Sequence, residues 1–218
     1  RTSTVKHLLK ERAASEPAPD DYVLLYNFED RDRPHAIPIP ASRGPRLKKT
    51  YEAMIKNILA DLEKVFDSDR YIEQRQKLED QFQKRTDQLL NEIEDEALEQ
   101  GFLLSRSGAA LTITPQGEEG APITEEEYND MSAKAQAALE SKAEKLEAQL
   151  EETLRKITAE DREAEEALNE LARETADKVV DPRVEHAQSL YRDVDAIIEH
   201  LNEVHEDILN RLNRLVPS

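Results

Sequence analysis

The sequence predicts a mainly α-helical protein: a helical bundle base, a long antiparallel coiled-coil arm broken by a small β-hairpin, and a short helix and strand at the N-terminus. Three observations carry this. Charged residues make up 36% of the 218 residues while hydrophobic ones reach only 38%, so the apolar surface suffices for narrow helical seams but not for one large round core. Glycine is scarce, with 5 in the chain, which leaves few of the turns that a sandwich or barrel needs. Apolar residues also recur by threes, fours and sevens over long stretches, the spacing of helices that pack along one stripe. Elongation is the expected shape.

Thr4 to Ser15 carries Val5, Leu8, Leu9 and Ala13 at helical spacing, and Pro17 and Pro19 stop that helix. Tyr22 to Phe28 is a continuous apolar run of β-formers, the pattern of a strand buried on both faces of a parallel sheet. Glu29 to Gly44, with Pro34, Pro38 and Pro40, reads as an extended connection rather than helix or central strand. From Pro45, the stripe Tyr51, Met54, Ile55, Ile58, Leu59, Leu62, Val65 and Phe66 predicts a core helix. Asp67 or Ser68 caps the next, whose seam runs Tyr71, Leu78, Phe82, Leu89, Ile93 and Ala97 until Gly101 ends it.

Phe102 to Ser105 and Leu111 to Thr114 flank a turn around Ser107 and Gly108 and predict a hairpin over about 102–115. Thr124 with Glu127 has the pattern of a capping box, and a second long helix is expected from near Ser132. Its seam, Ala143, Leu150, Ile157, Ala164 and Leu171, repeats every seven residues, with Leu139, Leu146, Leu168 and Thr175 alongside. Asp181-Pro182 is expected to break it. A last helix from Pro182 to Arg214 has a face too wide for a two-stranded seam, so it is expected to pack against several helices, among them the one around Met54 to Phe66. Two domains follow from this pass: 1–44, and a helical domain over 45–218 whose arm spans about 69–178.

The net charge of -18, with both signs interspersed, argues against a nucleic-acid surface, which needs clustered Lys and Arg. No run approaches the ~20 apolar residues that span a bilayer, so neither nucleic acid nor membrane is expected as a partner. The chain has no cysteine, which removes disulfide and thiol chemistry, and the cytoplasm is the expected compartment. It does not begin with Met and reads as a piece of something larger.

No catalytic constellation emerges. His200 and Glu203 are three apart, but His205 lies five from His200 and shares its face poorly, so the five histidines predict no metal site. The acidic runs Glu125 to Glu127 and Glu163 to Glu166 belong to solvated faces rather than to the buried, convergent pair that acid–base catalysis uses. Ser141 and Lys142 are adjacent on a helix and point in different directions. The arm itself admits two readings, a spacer or dimerisation device and an arm that contacts polypeptide clients.

Several short stretches, in order, resemble the Lon-related ATP-dependent proteases whose ATPase module carries a long helical insertion. They are Arg1-Thr2 followed by Ser3-Thr4-Val5-Lys6; Tyr26-Asn27-Phe28 with Arg33-Pro34; Pro40-Ala41-Ser42-Arg43-Gly44; Gly101-Phe102 opening a hairpin that ends at Pro115; Glu125-Glu126-Glu127-Tyr128; Val180-Asp181-Pro182; and Val204 to Leu209. The resemblance implies that the N-terminal helix and strand are a remnant of an AAA+ core. It also implies that Arg1 and Thr2 end a P-loop, Arg1 as a phosphate contact and Thr2 as the hydroxyl on Mg-nucleotide, with the glycine loop lying outside this chain.

The family's ATP and Mg, its Ser-Lys dyad and its hexameric ring would all belong to a parent protein. The partners so implied are unfolded or damaged protein substrates and sister subunits. Departures are Arg1 in place of the P-loop lysine, Ser42 where a glycine is expected between Ala41 and Arg43, and extra charge from Lys178 and Arg183 around Pro182. The alternative is a non-enzymatic coiled-coil scaffold or dimerisation module.

Overall fold

A computed structural model describes residues 2–107, 110–117 and 120–215. In order the elements are α1 (Thr2–Ser15), β1 (Asp21–Leu25), β2 (His35–Ile39), α2 (Gly44–Phe66), α3 (Asp69–Glu99), β3 (Phe102–Ser107), β4 (Ala110–Pro115), α4 (Glu125–Asp130), α5 (Ala133–Ser189), α6 (Asp195–Asn210) and α7 (Leu212–Leu215). The protein is mainly α-helical with two small antiparallel hairpins. It divides into two compact units, Arg1–Ile72 with Leu171–Ser218, and Glu73–Glu170.

The first unit owns the larger core. Along α2, Leu47, Met54, Ile58, Leu62 and Phe66 are buried at the expected helical spacing, and Pro45 opens the helix where its missing N–H costs nothing. They meet Ala176, Val180, Val184 and Ala187 of α5 and Ile197, Leu201, Val204, Ile208 and Leu209 of α6. This is the expected partnership of the last wide-faced helix with the one around Met54. Leu25 of β1 and Ile39 of β2 close the same core, which therefore crosses residue 44.

Four expectations in this unit are corrected. The segment after Glu29 is not wholly an extended connection, because His35–Ile39 pairs with β1 as an antiparallel strand, Tyr22 opposite Pro38. A two-stranded sheet is all edge, and an edge tolerates a proline that donates no ladder bond. For the same reason β1 is not a strand buried on both faces of a parallel sheet: its burial alternates, with Leu25 inside and Tyr22 and Leu24 exposed. Nor does Pro182 break the helix, since α5 runs 57 residues through it to Ser189. An interior proline costs about 3 kcal/mol, and the burial of Val180, Val184 and Ala187 around it outweighs that. The single last helix is instead α6 and α7, separated from α5 by a turn over 190–194.

In the second unit α3 and α5 run antiparallel. Arg85 of α3 pairs with Glu160 of α5 at 3.3 Å, and Glu96, eleven residues on, accepts from Gln149, eleven residues back, at 2.6 Å. The heptad seam is the buried one: Ile93, Ala97, Leu146 and Leu150 are covered, and Leu78, Phe82, Leu89, Ala143, Ile157 and Ala164 half-covered. Gly101 ends α3 with a φ of 83°, a value that favours glycine. The hairpin β3–β4 follows, Phe102 opposite Pro115; Gly108 of its expected turn lies outside the described residues. Phe102 is fully buried with Ala97 and Leu146. The capping box is present at α4, where Thr124 Oγ1 accepts from the Glu127 N–H and Glu127 Oε2 from the Thr124 N–H.

Candidate functional site

A groove of about 900 Å³ lies in the first unit, walled by the length of β1, the first half of α2 and the middle of α6. Its position follows from local sequence. Asn27 builds the connection from β1 to β2: its side-chain oxygen accepts from the Glu29 and Asp30 N–H groups and its amide donates to the Arg33 carbonyl at 3.0 Å. An Asx-centred turn of this kind lets the chain reverse without glycine. At the far end of β1, Asp21 accepts from the Gly44 N–H at 2.8 Å, joining strand to helix start. A Cβ at Gly44 would stand 3.1 Å from that carboxylate, so a larger residue there would have to displace the Asp21 side chain by a few tenths of an ångström.

His200 sits at the groove's inner wall and is, among the described residues, a polar side chain buried in the core. Its Nε2 lies 2.9 Å from the Tyr26 carbonyl and its Nδ1 3.0 Å from the Tyr51 hydroxyl. A carbonyl only accepts, so Nε2 carries the proton and Nδ1 accepts from Tyr51. One neutral imidazole thus fastens the end of β1 and the middle of α2 to α6. Burial holds the His200 pKa below its ordinary value, opposed by the Tyr26 carbonyl and the field of Glu203 and aided by His35. Burial likewise pushes the Tyr51 hydroxyl up. Phe28 packs 5.6 Å from the imidazole, ring centre to ring centre, and Tyr26 stands edge-on to Phe28 at 4.9 Å.

Arg43 organises the opposite side of the helix start. Its guanidinium pairs with Asp193, donates to the Leu190 carbonyl at 3.0 Å and lies 5.0 Å above the ring of buried Tyr191. The hydrogen bond to Arg43 holds the Asp193 carboxyl below the usual carboxylate range. This fork receives a carbonyl freed where α5 ends, which explains a helix stop that carries no glycine or proline. Ser42, just before it, has a φ of 66°, the left-handed region where glycine is the unstrained residue. Arg183, the added charge near Pro182, ties α5 to α2 through Asp61 at 2.6 Å.

The residues singled out for chemistry are scattered. Arg1 lies outside the described residues, as does the side chain of Thr2, whose backbone opens α1. A phosphate cradle needs a glycine-rich loop of N–H groups ahead of such a helix. His205 pairs with Asp177 at 2.7 Å, and His7 lies 3.5 Å from Glu11. Among the described residues no group of three His, Asp or Glu could hold a metal ion. Ser141 and Lys142 are both exposed on α5. Among the described residues no helix is long and apolar enough to cross a membrane. Sequence reasoning missed the joints Asp21–Gly44 and Tyr51–His200–Tyr26; the apolar run ending in Tyr26-Asn27-Phe28 was the available signal for the second.

Residues 21–54 match the family model of the Lon-like LonC helical domain. The match covers β1, β2 and the first part of α2, and so takes in Asp21, Asn27, Arg43, Gly44 and Tyr51. It relates this short region to Lon-like proteases. No curated protein matches the chain.

Proposed function

We propose that this chain is the substrate-handling helical segment of a Lon-like ATP-dependent serine protease and has no catalytic site of its own. The observation that supports the reading is where the family match falls: on the hairpin, turn and helix start that Asn27, Arg43 and Gly44 hold in shape. The resemblance along the rest of the chain adds to it. In this reading the parent supplies ATP, Mg and a Ser-Lys dyad outside these residues, assembles as a ring, hexameric as the resemblance implies, and works in the cytoplasm. Its clients are unfolded or damaged polypeptides.

Within this reading the β3–β4 hairpin is the client contact. Leu103, Leu104 and Ile113 are only half-covered there, and two-stranded hairpins present unpaired backbone edges to which an extended chain adds by strand pairing. Binding of this protein to a chemically unfolded test protein and to its native form, by fluorescence anisotropy, tests it. The expected result is preference for the unfolded form, lost when 102–115 is replaced by a short Gly-Ser linker. Equal binding, or none, favours a spacer or scaffold.

A further inference from the structure

The β3–β4 hairpin stands between the end of α3 and the start of α4, and its two faces differ. Cross-strand pairing sets Phe102 beside Pro115 and Leu104 beside Ile113. This face turns to the helices, since Phe102 is buried with Ala97 and Leu146, and Ile113 packs against them. The other face carries Leu103, Ser105, Thr112 and Thr114.

The two backbone edges differ as well. The Gln116 N–H donates to the Gly101 carbonyl at 2.9 Å, so the hydrogen-bonded pairs alternate from there, Leu103 with Thr114 and Ser105 with Thr112. The intervening residues point their backbone groups outward. On the β4 side the Pro115 carbonyl accepts from the Ile123 N–H at 2.8 Å and Gln116 bridges to Pro122, which covers that end of the edge. Along β3 the Leu104 N–H and carbonyl take no other backbone partner among the described residues, so β3 offers the longer open edge for an extended chain to join.

The charge around this edge is lopsided. Between Arg85 and Lys134 the sequence has one cation, Arg106, against twelve Asp and Glu, which make up more than half of the net charge of -18. Glu94, Asp95 and Glu99 at the end of α3, and Glu125, Glu126 and Asp130 of α4, are exposed and have no ion partner among the described residues. Further along the arm the charges are matched: Arg85 meets Glu160, Lys156 meets Glu152 and Arg162 meets Glu166. Unmatched carboxylates flanking an apolar edge attract chains of opposite sign and repel those of like sign.

We infer that the open edge of β3 receives extended polypeptide segments in which apolar residues alternate with Lys or Arg, and turns away acidic ones. The inference rests on the reading of this hairpin as the client contact and adds the chemistry of the client. Alternation follows from strand addition. The apolar side chains of the added strand continue the face of Phe102 and Leu104, and the cationic ones stand in water on the face of Leu103 and Ser105, in the field of the flanking carboxylates.

Fluorescence anisotropy of the full chain with three short labelled peptides tests it, valine alternating with lysine, with glutamine or with glutamate. The expected Kd of the lysine peptide is roughly tenfold below that of the glutamine peptide at about 50 mM salt, with the gap closing at about 500 mM, and the glutamate peptide binds most weakly. Glu125→Gln with Glu126→Gln and Asp130→Asn, all at exposed positions, is expected to shrink the lysine preference and leave the glutamine peptide unchanged. Leu104→Pro removes an outward N–H from an edge strand, where proline is tolerated, and is expected to weaken binding of all three; circular dichroism matching the unsubstituted chain shows that the fold is intact. Equal affinity for the three peptides, or a lysine preference indifferent to salt and to the three carboxylate substitutions, overturns the inference while the hairpin remains the client contact. Binding of no peptide, or binding that survives replacement of 102–115 by a Gly-Ser linker, overturns both.

Discussion

The two units are made of similar amphipathic helices but bury side chains on different scales. In the first, α2, α5 and α6 contribute wide faces, and Ile58, Leu62, Val180, Ile197 and Leu201 are sealed to within 1% exposure. In the second, α3 and α5 share a seam with many small residues, and its cluster of fully buried side chains consists of Ala97, Phe102 and Leu146. Arg85 there, between Glu160 and Glu163 and over the ring of Phe82, stays half exposed, and pairs of that kind are worth at most about 1 kcal/mol. Width of the apolar face, rather than helix length, sets how much a helix contributes to stability.

Cutting both regions alike tests the contrast. Leu201→Ala is expected to cost about 3–5 kcal/mol and Ile157→Ala about 1 kcal/mol, because only the first leaves a sealed cavity. Hydrogen exchange followed separately over residues 44–66 and 73–99 measures each, and equal losses would break the comparison. The polar fastening of the larger core comes next: His200→Leu leaves the Tyr51 hydroxyl and the Tyr26 carbonyl unpaired and is expected to cost about 2–4 kcal/mol in urea unfolding.

That histidine also gives a pH signature. Its folded pKa is depressed, so the unfolded chain takes up a proton first. Its contribution is complete above the unfolded value of about 6.5 and is lost as pH falls from there towards the folded value. The His200→Leu variant should lack this part of the pH dependence. Changes at the backbone are smaller and of opposite sign. Pro182→Ala, at an exposed position of α5, restores a helical N–H and is expected to raise stability by about 1–3 kcal/mol. Ser42→Gly relieves the positive φ at the cost of a freer unfolded chain, for a net gain of about 0.5–1 kcal/mol by thermal melting.

Ser42 also marks how far the sequence could be read. Its position came from a departure from a family pattern, and its φ of 66° supplies the physical reason a glycine was expected there. Where local signals and packing agree, the elements were legible: the α2 stripe, the capping box at Thr124, Gly101 and the heptads of α5 all lie where their spacing placed them. Where tertiary contacts override a local signal, they were not. Pro38 hid β2 because a proline excludes central strands but not edges. Pro182 implied a helix break that packing overrides, and the actual stop at Leu190 depends on Arg43, far away in the chain. Of the candidate site, Asn27, Phe28, Arg43 and Gly44 were singled out as a resemblance, but the convergence of His200 on Tyr26 and Tyr51 joins residues that no spacing rule connects.

The split of the first unit across the chain bears on how the protein is made. The apolar face of α2 ends at Phe66, and its buried partners on α5 begin at Ala176, roughly 110 residues later. At ribosomal speeds of about 5–20 residues per second, that face waits about 5–20 s for its cover. During synthesis it is the α2 face and its hairpin, rather than the solvated α3–α5 pair, that would attract chaperones, and slowing translation of residues 73–170 would lengthen the exposure.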